Sequence, residues 1–205
     1  MPEQPRPIRR LINYMEGLRA EIPKLFYRTF EDKPFEACDF CYQTFDSTTQ
    51  YAIMKFGTAT ELKQEICLCM ECGQKLNEQY SDESKQVIKQ MFGDNFLHAR
   101  IEQTVEIKRD RELVLTAECA KCGTPRDEAK ESVTYGFFEG AQILYYVPPY
   151  MLCDGCIVAL YDQLSDQTKE IEGRFMADHL GLPPEFGWAQ PVPVGDELPK
   201  GMFFG

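Results

Sequence analysis

Eight of the nine cysteines in this 205-residue chain fall into four C-x-x-C pairs: Cys38/Cys41, Cys69/Cys72, Cys119/Cys122 and Cys153/Cys156. Two intervening residues let both sulfurs of a pair reach one ion from a single tight turn. Two such pairs complete the tetrahedral thiolate shell that zinc prefers. The gaps hold 27 residues between Cys41 and Cys69 and 30 between Cys122 and Cys153, either of which suits a β-hairpin that returns the second pair to the first. Buried core cysteines would not explain the paired spacing. A disulfide framework is the poorer reading, because the first thirty residues lack the apolar core of a secretory signal and cytosolic reductants keep thiols free. The expectation is two structural Zn2+ ions, one on Cys38, Cys41, Cys69 and Cys72 and one on Cys119, Cys122, Cys153 and Cys156. Iron in a rubredoxin-like site uses the same ligands, so the spacing leaves iron open.

The chain is also duplicated. A shift of 81 residues carries Cys38 and Cys41 onto Cys119 and Cys122, and a shift of 84 carries Cys69 and Cys72 onto Cys153 and Cys156. The second offset continues past the ligands: residues 76–87 align with 160–171, with Leu76/Leu160, Gln79/Gln163, Ser81/Ser165, Asp82/Asp166 and Lys85/Lys169 identical. Each copy is read as folding around its own metal rather than sharing ligands in a cross-brace.

Within the first copy, Gln50–Phe56 and Glu61–Leu68 flank a turn at Gly57; within the second, Ser132–Phe138 and Ala141–Val147 flank Glu139-Gly140. Aromatic and β-branched runs around a glycine-containing turn are hairpin signals. A helix then opens at Cys69 and at Cys153, where its positive end stabilises thiolates. Ser81 and Ser165 read as N-caps of a following helix. Knuckle, hairpin, then a helix carrying the last two ligands resembles the treble-clef zinc fold group over residues 38–92 and 119–178. The resemblance implies fold only, since that group spans ribosomal proteins, transcription factors, ubiquitin ligases and nucleases.

Residues 7–20 place Ile8, Leu11, Ile12, Met15 and Leu18 at helical spacing. Thr104–Lys108 and Glu112–Thr116 alternate as a hairpin turning at Arg109-Asp110. The tail from Gly181 carries five prolines, five glycines, Phe186, Trp188, Met202, Phe203 and Phe204, the composition of an extended segment. The chain is therefore read as α+β: an N-terminal helix and lead-in (1–36), zinc module 1 (37–96), a connecting β-hairpin (97–117), zinc module 2 (118–180) and an extended tail (181–205).

Net charge of −11 argues against a general nucleic-acid binder. No run of about 18 apolar residues exists, so no membrane partner is expected. A nuclease on such a fold would place a histidine beside the zinc, but the two histidines, His98 and His179, lie outside both ligand spans. Four thiolates close the shell and leave no position for a catalytic water. The reading that follows is a cytoplasmic, non-catalytic scaffold or adaptor acting through protein–protein interaction, with the partner and the oligomeric state left open. Two alternatives stand beside it. One is a nucleic-acid-associated regulator using the basic N-terminal segment (Arg6, Arg9, Arg10, Arg19, Lys24, Arg28) or Lys108, Arg109 and Arg111. The other is a redox-responsive zinc switch centred on the ninth cysteine, Cys67, whose bland reading is a small apolar side chain at a strand end. A Cys→Ser change at any ligand position is expected to unfold the module that contains it.

Overall fold

The structure, a computed structural model, describes residues 18–180 apart from Lys108; for residues 94, 95, 179 and 180 only the backbone is described. Residues 7–17 of the helix expected over 7–20, and the tail from Gly181, lie outside the described residues. The fold is α+β. Strands β1 (Arg19–Glu21), β2 (Gln50–Gly57), β3 (Leu62–Cys69), β4 (Ser132–Glu139), β5 (Gln142–Leu144) and β6 (Tyr150–Cys153) form one sheet. Its order is β1-β5-β4-β2-β3, with β6 beside β5 on the same edge of β4, and every pairing is antiparallel. The helices are α1 (Met70–Gln79), α2 (Asp82–Phe92), α3 (Asp94–Glu106), α4 (Arg111–Leu115), α5 (Asp154–Asp162) and α6 (Asp166–Leu180).

The ladders show how the two copies join. Tyr51 lies opposite Cys69 and Ser132 opposite Cys153, so β4 follows β2 at the 81-residue offset while β6 follows β3 at 84. The three extra residues therefore sit in the connection between the paired strands of the second copy. In the β2–β4 ladder Met54 lies opposite Tyr135, its own counterpart at offset 81. A residue facing its counterpart marks a two-fold axis, as in an isologous dimer interface. The helices obey the same axis: α1 packs on α6 and α2 on α5. The N-cap hydroxyls of Ser81 and Ser165, counterparts at offset 84, meet at 2.8 Å. The Ser81 N–H donates to Thr168 Oγ1 at 3.2 Å, and the Ser165 N–H donates reciprocally to Ser84 Oγ at 2.9 Å. The modules are thus halves of an internal pseudo-dimer that share one sheet.

Both faces of the sheet are covered. Tyr51, Ile53 and Phe138 join Leu18, Ile22, Phe26, Phe35 and Leu115 in one apolar cluster under the lead-in. Met54, Ile66, Val133, Met151 and Leu152 form the other with Met176 and the buried metal-site cysteines, beneath the helices. Period-two alternation along β2 and β4 assigns each side chain to its face.

Three sequence expectations are corrected. The connecting segment is helical, as α3 and α4, not a hairpin. Buried Thr104 and Thr116 turn their hydroxyls onto the carbonyls of Arg100 and Glu112 at 2.7 Å, the back-bond that makes threonine acceptable in a helix. Each five-residue alternation was too short to outweigh the 3.6-residue spacing of Leu97, Arg100, Ile101 and Thr104. Of the return strand expected over 141–147 only Gln142–Leu144 is strand, as β5. The chain then turns, with the Val147 N–H donating to Leu144 O at 3.1 Å, and pairing with β4 resumes as β6 only beyond Pro148 and Pro149, which supply no N–H to a ladder. At the end of the N-terminal stripe, Arg19–Glu21 form β1 against β5, and Leu18 accepts the Tyr145 N–H at 2.7 Å, so no helix extends there.

Glu172 on α6 is buried against module 1, where Tyr80 Oη donates to its Oε1 at 2.8 Å and Oε2 finds no partner among the described residues. Burial raises this carboxyl from its ordinary 4.5 to about 7. Between those values the unfolded chain has lost the proton and the folded chain keeps it. Stability therefore falls as pH rises through that window and levels off above it, by about 3 kcal/mol in all. Glu172→Gln is expected to remove the slope and raise stability above pH 7, read from urea midpoints across pH. The shared sheet also replaces the expectation that a lost ligand unfolds only its own module. Cys119→Ser is expected to lower the protection of β2 amides together with those of β4 in hydrogen exchange.

Candidate metal centres

Each centre is assembled from one copy. The thiols of Cys38, Cys41, Cys69 and Cys72 form one group and those of Cys119, Cys122, Cys153 and Cys156 the other, with all sulfurs of a group within 4.8 Å of one another. The first and third ligands of each set are buried, the second is exposed and the fourth half-exposed. Cys41 and Cys69 sulfurs stand 3.8 Å apart, and Cys122 and Cys153 3.5 Å. Four thiolates about 2.3 Å from a tetrahedral ion stand about 3.8 Å from one another. The spacing is too long for disulfides and fits metal-bound thiolates.

Backbone geometry explains why the pairs converge. In each knuckle the first cysteine closes a tight loop: the Cys38 N–H donates to Gln43 O at 3.1 Å and the Cys119 N–H to Thr124 O at 2.8 Å. The residue after the second cysteine is left-handed in both, Tyr42 at φ 59° and Gly123 at φ 75°. The third ligand ends a strand and caps the following helix: Cys69 precedes α1 and Cys153 precedes α5. One further turn of helix returns the fourth ligand to the same point.

Peptide N–H groups are aimed at the sulfurs. Cys38 Sγ accepts from the Phe40 and Cys69 amides at 3.5 and 3.3 Å, and Cys69 Sγ from the Cys72 amide at 3.4 Å. In the second centre Cys119 Sγ accepts from the Cys153 amide at 3.4 Å. A four-thiolate shell around a divalent ion carries two excess negative charges, which these donors and the helix starts offset. Thr124, through its hydroxyl at 3.1 Å and its amide, holds Cys122 down at about 6 from the ordinary 9.0. Burial pushes the thiols of Cys69, Cys72, Cys153 and Cys156 up. A bound cation reverses that preference.

Sequence reasoning missed the clamp on the first knuckle. Asp39 Oδ2 accepts the Cys67 N–H at 2.6 Å, and its Oδ1 accepts from Arg28 Nη2 at 2.8 Å while that guanidinium lies 4.2 Å over the Phe35 ring. The counterpart of Asp39 is Ala120, which keeps only the backbone link, its N–H donating to Met151 O at 2.8 Å. That Asp-to-Ala difference between the copies was the available signal. Cys67 itself is fully buried in the apolar cluster opposite the helices, and burial raises its thiol. His98 is exposed on α3, away from both sulfur groups, and the His179 side chain lies outside the described residues. No family model matches the chain, and no curated protein or solved structure matches it either. No helix among the described residues is long and apolar enough to cross a membrane.

The left-handed position offers a measurable asymmetry. Gly123→Ala is expected to lower stability by about 1 kcal/mol, whereas Tyr42→Gly, which relieves a left-handed side chain, leaves it unchanged or raised. Denaturant midpoints of the metal-loaded protein check both.

Proposed function

We propose that the protein is a non-catalytic scaffold, in which two zinc-bound, treble-clef-like modules hold a pair of equivalent docking grooves in fixed geometry. The observation that carries this reading is the pairing of the grooves. One, of 280 Å3, lies between α2 and α5 and is lined by Val87, Met91, Leu160 and Gln163, with Cys156 at its wall. The other, of 250 Å3, lies between α1 and α6 and is lined by Leu76, Gln79, Ile171 and Phe175. At offset 84 Leu76 corresponds to Leu160, Gln79 to Gln163, Val87 to Ile171 and Met91 to Phe175. Apolar walls with a polar rim are what a partner segment would use, and a rigid pair of them supports two-point engagement.

Closed shells of four thiolates favour a structural over a hydrolytic metal, and knuckle–hairpin–helix order supports the treble-clef comparison. Zinc fits an all-sulfur tetrahedron in a protein whose small halves depend on added cross-links. The nucleic-acid reading loses support because three of the basic side chains it relied on are engaged internally. Arg19 pairs with Glu139 at 2.6 Å, Lys24 with Asp32 at 3.2 Å and Arg28 with Asp39 at 2.8 Å. The redox-switch reading loses support because Cys67 is sealed from solution.

Two measurements test the proposal. Metal analysis of protein purified without added metal is expected to find two zinc ions per chain; iron would end the zinc assignment. Gln79→Arg and Gln163→Arg change exposed groove rims. Each is expected to weaken partner capture and the double change to abolish it, with metal content unchanged. A partner set indifferent to the double change would refute the groove reading.

A further inference from the structure

The two ends of the β2–β4 ladder are related by the internal axis, yet their chemistry differs. At one end Phe45 stacks on Tyr51 with ring centroids 4.1 Å apart, beside fully buried Ile53, within the apolar cluster. The counterparts at offset 81 are Arg126, Ser132 and Thr134. The equivalence is structural as well: the Phe45 N–H donates to Glu36 O and the Arg126 N–H to Ala117 O, both at 2.8 Å. Three apolar positions have become polar while the backbone keeps its course, and Ser132 and Thr134 remain buried. Burying polar groups disfavours folding unless they find partners.

These residues border an open 290 Å3 pocket flanked by the lead-in at Lys24 and Thr29 and by the β2–β3 turn at Thr58 and Thr60. Its hydrogen-bonding capacity is unbalanced. Arg126 donates Nε and Nη2 to Thr116 O, at 3.0 and 2.8 Å, and Nη2 also to Thr134 Oγ1 at 2.8 Å. No carboxylate among the described residues pairs with it, and its Nη1 has no partner there. Thr134 oxygen already accepts from Arg126, and Thr58 oxygen accepts the Thr60 and Glu61 amides at 3.3 and 3.0 Å. Both hydroxyl protons are left to donate elsewhere. Lys55 is not part of the surplus, since its ammonium is held by Tyr27 O, by Thr29 Oγ1 at 3.0 Å and by Glu65 at 3.1 Å. Lys24 stands at the mouth, where its exposed ammonium is shared with equally exposed Asp32 at 3.2 Å and keeps donors to spare, and exposed Glu61 is the one carboxylate of the wall.

We propose that this pocket binds a tetrahedral oxyanion, either inorganic phosphate or a phosphate monoester. Such a ligand offers only acceptors and a negative charge, matching a guanidinium with free donors, a lysine and a ring of hydroxyls. The site is independent of the metal centres and of the docking grooves, and it gives this strongly acidic protein one local place for an anion.

The test is a titration of the zinc-loaded full chain with inorganic phosphate and with glycerol 3-phosphate, following the amide resonances of Gly57, Thr58 and Ser132. Sodium chloride at matched ionic strength is the control. Saturable shifts with either phosphate and none with chloride are expected. Arg126→Gln should weaken binding about tenfold or more, and Lys24→Gln about threefold. Lys24 is exposed, so its variant keeps the fold and stands as the test if Arg126→Gln does not fold. Tighter binding of glycerol 3-phosphate would assign the ligand to the monoesters, and the reverse to the free ion. A phosphate response no larger than that of chloride, or one that both variants leave unchanged, would overturn the proposal.

Discussion

The β2–β4 ladder is the interaction on which the rest of the structure depends. Each copy alone supplies a strand with its antiparallel return (β2 with β3, β4 with β5 and β6), a knuckle and two helices, with the other edge of β2 or β4 unpaired. An exposed edge with apolar side chains on both faces is an unstable arrangement for so small a unit. Pairing those edges about an axis between Met54 and Tyr135 satisfies both rows of peptide groups. The helices of opposite copies then meet over the sheet, where their caps interlock through Ser81, Ser84, Ser165 and Thr168. A single duplication thereby yields one core.

The candidate metal centres sit at the margin of the apolar cluster beneath the helices. Each lies at the junction of a strand end and a helix start, with two cysteines inside the apolar cluster, one half-exposed against it and one exposed. A metal ion bound there would tie the knuckle to the strand that follows it nearly thirty residues later. The two centres are equivalent in ligand geometry but not in their surroundings. Arg28 and Asp39 brace the first knuckle against β3, whereas the second relies on backbone contacts and on Thr124 beside Cys122.

Much of the local structure was legible from residues alone, because its determinants are local. C-x-x-C spacing specified which thiols meet, the paired offsets disclosed the duplication, and Ser81 and Ser165 marked helix starts that the structure retains. What escaped was long-range. Nothing in the spacing of β2 states that its partner is β4 rather than only β3, since that choice lies in the packing of two faces at once. The helices α3 and α4 were hidden because short runs such as Thr104–Lys108 satisfy both periods, and burial of Arg100 and Thr104 on one helical face decided between them. Pro148 and Pro149 were visible, but the strand resuming beyond them depends on β4 offering an edge at Ser132–Tyr135.

A duplicated chain carries its own control, because each position can be compared with a counterpart in an equivalent backbone environment. Features that obey the axis, such as the sulfur groups, the crossed caps and the Gln79 and Gln163 bonds to the carbonyls four residues earlier, answer to requirements shared by both halves. Features that break it answer to something else. Tyr42 against Gly123 and Asp39 against Ala120 alter how each knuckle is held without changing its course. Phe45, Tyr51 and Ile53 against Arg126, Ser132 and Thr134 exchange apolar packing for a cluster of donors. That last exchange is unfavourable for folding unless the donors are answered, so folding alone does not account for it. The broken symmetry at the Gly57–Ser132 end of the ladder is therefore where a role beyond stability has the strongest physical warrant.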